Sequence, residues 1–115
     1  MDPNAQQVIL NLKRQYDSLF SQVDAVLDGR AGLDAQQTAD YFKALDTAHQ
    51  NLLTALQNAV KNNVTAWDNI AVQVQQTQQA IDNASNNISS FSATINGIAN
   101  LINNVTQAIA VLPTL

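Results

Sequence analysis

The chain contains no cysteine and no glutamate, and only three glycines, two prolines and one histidine in 115 residues. Each shortage removes a class of function. Without cysteine there is no disulfide framework, no thiolate metal site and no cysteine nucleophile. So few glycines rule out a glycine-rich nucleotide-binding fold. A lone histidine without a suitable serine gives no catalytic triad. Charge is scarce as well, at 12% of residues, about half the usual share. The five Lys and Arg against nine Asp leave a net charge of −4. Nucleic-acid binding needs a basic face to release counterions, and none can be assembled from five cations. No apolar run approaches the roughly 18 residues of a membrane-spanning helix. The nearest candidate, 91–112, carries Asn96, Asn100, Asn103, Asn104 and Gln107, which would be costly in hydrocarbon.

What the chain does have is amides and a core. Asn and Gln number 14 each, and 46% of residues are hydrophobic. The length suits one helical domain, 1–115. The distribution of charge is uneven. All five cations (Lys13, Arg14, Arg30, Lys43, Lys61) lie in the first 61 residues, whereas 62–115 holds only Asp68 and Asp82. Met1-Asp2-Pro3-Asn4 lacks the basic start and apolar run of a secretion signal, so the expected location is cytoplasmic or reached by a signal-independent export route.

Hydrophobic periodicity is helical throughout. A first helix is expected over about 3–28, with Ala5, Ile9, Leu12, Tyr16, Leu19, Val23 and Val26 facing the core. Asp2 is placed to cap it, Pro3 suits its first position, and Gly29 suits the left-handed residue that ends it. Asp34, with Gln37 three residues on, has the pattern of a capping box opening a second helix over 34–61. That helix carries Tyr41, Phe42, Leu45, Leu52, Leu53, Leu56 and Val60. The short connection predicts antiparallel neighbours.

The third segment has a seven-residue repeat. From Trp67 the stripe continues through Ile70, Val74, Thr77, Ile81, Ala84, Ile88, Phe91, Ile95, Ile98, Ile102, Val105, Ile109 and Leu112, and thirteen of these fourteen positions are apolar. Ile and Val at both alternating positions favour three or more associated helices. The flanking positions carry no charge. The unbroken phase predicts one long helix over 65–112, about 70 Å at 1.5 Å per residue. It would overrun its partners and present its stripe to another chain. The alternative is a break near 85–89, where Asn and Ser cluster, giving a four-helix bundle. Both versions are all-α antiparallel bundles. A β-hairpin turning at Asn96-Gly97 has poor alternation on either side.

Candidate chemistry is thin. Asp46 and His49 have the spacing of a carboxylate and histidine in a di-iron bundle, but such a site needs about four carboxylates and two histidines. His49 reads better as a flank of the apolar stripe. Asp24, Asp28 and Asp34 lack the spacing and terminal Glu of a calcium loop and read as a capped turn. Asp17 beside Lys13 and Arg14 is an ordinary surface pair. Four Asn-X-Ser/Thr sequons, at Asn63, Asn83, Asn87 and Asn104, are what so much Asn, Ser and Thr produces. The aromatic residues Trp67, Tyr16, Tyr41, Phe20, Phe42 and Phe91 fall on or beside apolar stripes and are expected in the core. No catalytic, cofactor or metal site is expected.

In composition, the Asn/Gln/Ser/Thr/Ala/Ile-rich second half is similar to the terminal helices of secreted filament subunits of the flagellin type. No motif matches residue by residue, so the likeness implies no site. The leading expectation is a non-enzymatic structural or interaction protein. It would associate with itself or with another helical protein through the seam Trp67, Ile70, Val74, Ile81, Ile88, Phe91, Ile95, Ile98, Ile102, Val105, Ile109 and Leu112. A small acidic helical chaperone or adaptor is the second reading. A lipid- or granule-surface binder or pore component using the apolar face of 91–112 is the third, though it lacks the cations that strengthen membrane contact.

Overall fold

A computed structural model describes residues 3–61, 67–86 and 91–110. Among these residues there are five helices and no strand: α1 (Pro3–Phe20), α2 (Val23–Leu27), α3 (Ala35–Lys61), α4 (Trp67–Ser85) and α5 (Phe91–Ala110). They form an all-α bundle of four rods, with α1 and α2 together making one rod.

Local chemistry sets the boundaries. Pro3 occupies the first position of α1, where its missing N–H leaves no bond unmade. Asp2, expected to cap that helix, lies outside the described residues. At Ser21-Gln22 the first rod is interrupted rather than continuous to 28. Two side chains take over the helix carbonyls there. The Ser21 hydroxyl donates to the Ser18 carbonyl at 2.7 Å, and the Tyr41 hydroxyl donates to the Leu19 carbonyl. Gln22 N–H then closes a tighter turn onto Leu19 at 3.1 Å. Inserted donors of this kind are a standard cause of helix breaks. Burial pushes the Tyr41 phenol up to about 12, so it stays protonated and donating at neutral pH.

The turn between the first two rods follows the sequence closely. Gly29 and Gly32 both adopt positive φ, at 86° and 70°. Between them, Arg30 donates from its backbone N–H (3.0 Å) and its Nε (2.8 Å) to the Asp28 carboxylate. The backbone N–H of Arg30 is the main reason the Asp28 carboxyl sits below its ordinary range. Asp34 and Gln37 form the reciprocal capping box. Gln37 N–H donates to Asp34 Oδ1 at 2.8 Å, and Asp34 N–H donates to Gln37 Oε1 at 3.1 Å.

The expected continuous helix over 65–112 does not form. α4 ends at Ser85, α5 begins at Phe91, and the two pack against each other. Ile81 and Ala84 share a core cluster with Phe91 and Ile95, while Trp67 and Ile70 share one with Val105 and Ile109. The chain therefore doubles back, and the alternative with a break near 85–89 is the observed one. The molecule measures 44 × 21 × 19 Å, too short for a 70 Å rod. Two effects decide against the long helix. The Asn/Ser-rich segment is poor helix material. Folding back also buries both halves of the stripe within one chain, whereas an overhang would leave one half in water. Each of the two helices buries its own half of the repeat.

Hydrogen bonds fix the rod directions. Gln15 in α1 donates to the Val74 carbonyl in α4 at 2.9 Å, and Arg14 and Ser18 in α1 both reach Asp82 near the end of α4. α1 and α4 therefore run parallel. Gln37 donates to the Ser92 carbonyl at 2.9 Å and Asn51 to the Ile102 carbonyl at 3.4 Å, so α3 and α5 run parallel too. Each hairpin, α1/α3 and α4/α5, is antiparallel within itself.

The core lies in two apolar clusters. One gathers Val8, Leu12, Trp67, Ile70, Val74, Val105 and Ile109; the other gathers Leu19, Tyr41, Ile81, Phe91, Ile95, Ile98 and Ile102. The polar residues Gln15, Asn51, Thr77 and Gln78 are also buried, on α1, α3 and α4. Burying amides is costly unless they are bonded. Here Gln15 and Asn51 donate to backbone carbonyls of the neighbouring parallel helix, and Thr106 donates to Asn51 Oδ1 at 2.8 Å, whereas Gln15 Oε1, Gln78 Oε1 and the Nδ2 of the buried Asn58 have no partner among the described residues. Such bonds favour one axial register between the hairpins.

Candidate interaction surface

The candidate seam residues turn inward. Trp67, Ile70, Val74, Ile81, Phe91, Ile95, Ile98, Ile102, Val105 and Ile109 are all buried in the bundle's own core. Ile88 and Leu112 lie outside the described residues. The stripe that suggested a second chain is covered by α1 and α3 of the same chain. The apolar face of α5, considered for lipid or granule contact, is buried in the same way. Among the described residues no helix is long and apolar enough to cross a membrane.

Asp82 has a role that composition alone does not reveal. Its carboxylate accepts from Arg14 Nη2 at 3.2 Å, Ser18 Oγ at 3.2 Å and Gln78 Nε2 at 2.9 Å. It is one of two charged side chains after residue 61, and it clamps α4 to α1. Asp82→Ala should therefore cost about 1–3 kcal/mol, the range for charge-assisted hydrogen bonds lost at a half-exposed site. Urea denaturation with an unchanged slope would measure it, and a midpoint equal to wild type would show that the clamp is idle. Lys13 and Asp17, at 2.6 Å, form the expected exposed pair on one helix.

The informative surface is on α3. Its buried positions are Tyr41, Ala44, Ala48, Asn51, Ala55 and Asn58. Apart from Tyr41 these are small or polar. The small side chains let α3 lie close to α5, whose Ile95, Ile98 and Ile102 supply the bulk. The large apolar residues of α3 form a neighbouring stripe at the edge of the core, with Leu45 and Leu52 packed against it and Phe42, Leu53 and Leu56 turned outward. Phe42, Leu53 and Leu56 are 37%, 39% and 38% exposed, and Leu45 and Leu52 are partly buried. The sequence reading that put Phe42 in the core is corrected here. Phe20 also departs from expectation, at 56% exposed.

Tyr16, Phe20, Phe42, Leu45 and His49 gather along the outside of the α1/α3 hairpin. Tyr16 contacts Phe20 at 5.8 Å between ring centroids and His49 at 5.0 Å. Tyr16, Phe42, Leu45, Asp46 and His49 line an open hollow of about 210 Å³. Asp46 and His49 thus fall together, but as the polar wall of a hollow whose other side is Tyr16, Phe42 and Leu45. Among the described residues no group of three or more His or Asp could hold a metal ion. Asp24, Asp28 and Asp34 likewise form no such cluster.

The other grooves differ in character. Between α3 and α5 a polar hollow of about 390 Å³ is lined by Asp40, Lys43, Thr47, Asn96, Asn100 and Asn103 over an alanine floor. Between α4 and α5 a smaller one of about 230 Å³ is lined by Ala80, Ala93, Thr94, Gly97, Ile98 and Leu101. Neither gathers aromatic groups. No protein-family model, no curated protein and no solved structure matches this chain.

Proposed function

We propose that this chain is a non-enzymatic interaction protein that docks through the outer face of its α1/α3 hairpin. One observation carries the reading: α3 turns its alanines and asparagines inward and its Phe42, Leu53 and Leu56 outward. A helix selected only for its own bundle would do the reverse, since burying a leucine contributes about 1.5–3 kcal/mol. Contiguous apolar patches rimmed by polar residues mark contact sites in soluble proteins. The rim here includes Lys13, Asp17 and Asp46, all exposed. Among the described residues Asp46 and His49 gather no further carboxylate or imidazole and no Ser, Thr or Lys nucleophile in their hollow, which supports binding over catalysis.

An environment-sensitive dye such as ANS tests the face directly, at protein concentrations low enough to keep chains apart. Wild-type protein, far below its melting temperature, should show saturable emission. A Phe42→Lys/Leu53→Lys variant with the same circular dichroism should show little. Equal emission from both proteins would remove the reading.

A further inference from the structure

We infer that the partner on this face is a second copy of the same chain, docked antiparallel along α3 about a two-fold axis at His49. The inference rests on the reading of the α1/α3 face as a contact surface and adds who occupies it. The outward stripe is symmetric in sequence. Phe42, Leu45, His49, Leu53 and Leu56 stand at −7, −4, 0, +4 and +7 relative to His49. At 100° per residue these five positions share one face of the helix. An antiparallel pairing of α3 with its copy therefore sets Phe42 against Leu56, Leu45 against Leu53, and His49 against itself. Every apolar side chain meets an apolar one, as an isologous contact requires. A foreign helix would give this symmetry no reason to exist. Leu52 lies off the symmetric set and packs against one core cluster, while Leu45 within the set is partly buried against the other and offers only its exposed edge.

Area agrees with the pairing. The exposed parts of Phe20, Phe42, Leu53 and Leu56, with the half-buried residues between them, amount to on the order of 400 Å² of apolar surface. A standard interface buries about 800 Å² per partner, a little over half of it apolar. The face matches one side of such an interface. The α3/α5 and α4/α5 hollows, among the described residues, gather no comparable set of exposed large apolar side chains.

The absence of cysteine makes a direct test clean. In the proposed dimer, residue 49 lies opposite its own copy, and helix axes 8–10 Å apart bring facing Cα atoms within disulfide reach. His49→Cys should oxidise to a covalent dimer at micromolar concentration. Gln79→Cys, exposed on α4, should not. Light scattering of wild type should rise with concentration from 12.4 kDa to twice that mass, and Phe42→Lys/Leu53→Lys should hold it at the single-chain value. That mass measurement needs no cysteine, so it stands even if His49→Cys folds poorly. A single-chain mass at all concentrations overturns the second copy, and if the dye still binds, the contact surface itself survives. Double mass without cross-linking at 49, or with equal cross-linking at 79, overturns the two-fold at His49.

Discussion

Ile98→Asp should abolish cooperative folding. Ile98 is 2% exposed, with Phe91, Ile95 and Ile102 in the same cluster. The substitution removes a buried aliphatic side chain, costing about 2–5 kcal/mol with the cavity left behind. It also places a carboxylate with no cation partner where burial adds several kcal/mol more. Domains of this size are stable by about 5–15 kcal/mol, so the sum reaches the whole margin. The chain carries its own reporter. Trp67 is the single tryptophan, is fully buried, and belongs to the other cluster. If the clusters unfold together, Ile98→Asp should shift tryptophan emission to that of a water-exposed indole. Emission retained at the wild-type wavelength with half the helical signal lost would show two separable units. An unchanged melting temperature would mean that Ile98 does not face the core.

The seam was legible in the sequence because its residues are large, β-branched and evenly spaced. What it packs against was not. A seven-residue stripe states that a face is buried but leaves open which chain buries it. The decision between intermolecular and intramolecular cover lay in the weak helix formers between Asp82 and Ser90. Their propensity costs are a few tenths of a kcal/mol each. Summed, and joined to the gain from folding back, they outweigh an unbroken phase.

The caps were legible for a different reason: they are local. Asp34 and Gln37 bond to each other's backbone, and Gly29 needs positive φ, whatever the rest of the chain does. The face of α3 was not legible. Its apolar residues cover two adjacent stripes, and counting hydrophobicity favours the one with Phe42, Leu45, Leu52, Leu53 and Leu56. Packing selected the alanine stripe, because α5 already fills the space with isoleucine. Residue volumes on the facing helix, absent from any single-helix pattern, decided it. Gln15 shows the same limit on α1. An amide adjacent to Tyr16 would be assigned to solvent, yet it is fully buried because the Val74 carbonyl accepts its Nε2.

Trp67 offers the second large effect, and a pair of substitutions separates its contributions. Trp67→Ala should cost about 3–5 kcal/mol, since a fully buried aromatic ring leaves a cavity among Val8, Leu12, Ile70 and Ile109 that neighbours fill only in part. Trp67→Phe should cost far less. The indole Nε1 is buried with no acceptor among the described residues. An unmet buried donor carries a penalty of about 1–3 kcal/mol. Phenylalanine removes the donor while keeping most of the ring, so the relief offsets much of the lost volume. The two variants should differ by at least about 2 kcal/mol on these magnitudes. Guanidinium denaturation followed by circular dichroism reads both, because neither variant keeps a tryptophan. The denaturant slopes should match, as the same surface is exposed on unfolding. If Trp67→Phe proves as damaging as Trp67→Ala, the indole N–H has a partner in the folded protein. In that case Trp67 holds the start of α4 by a hydrogen bond as well as by packing.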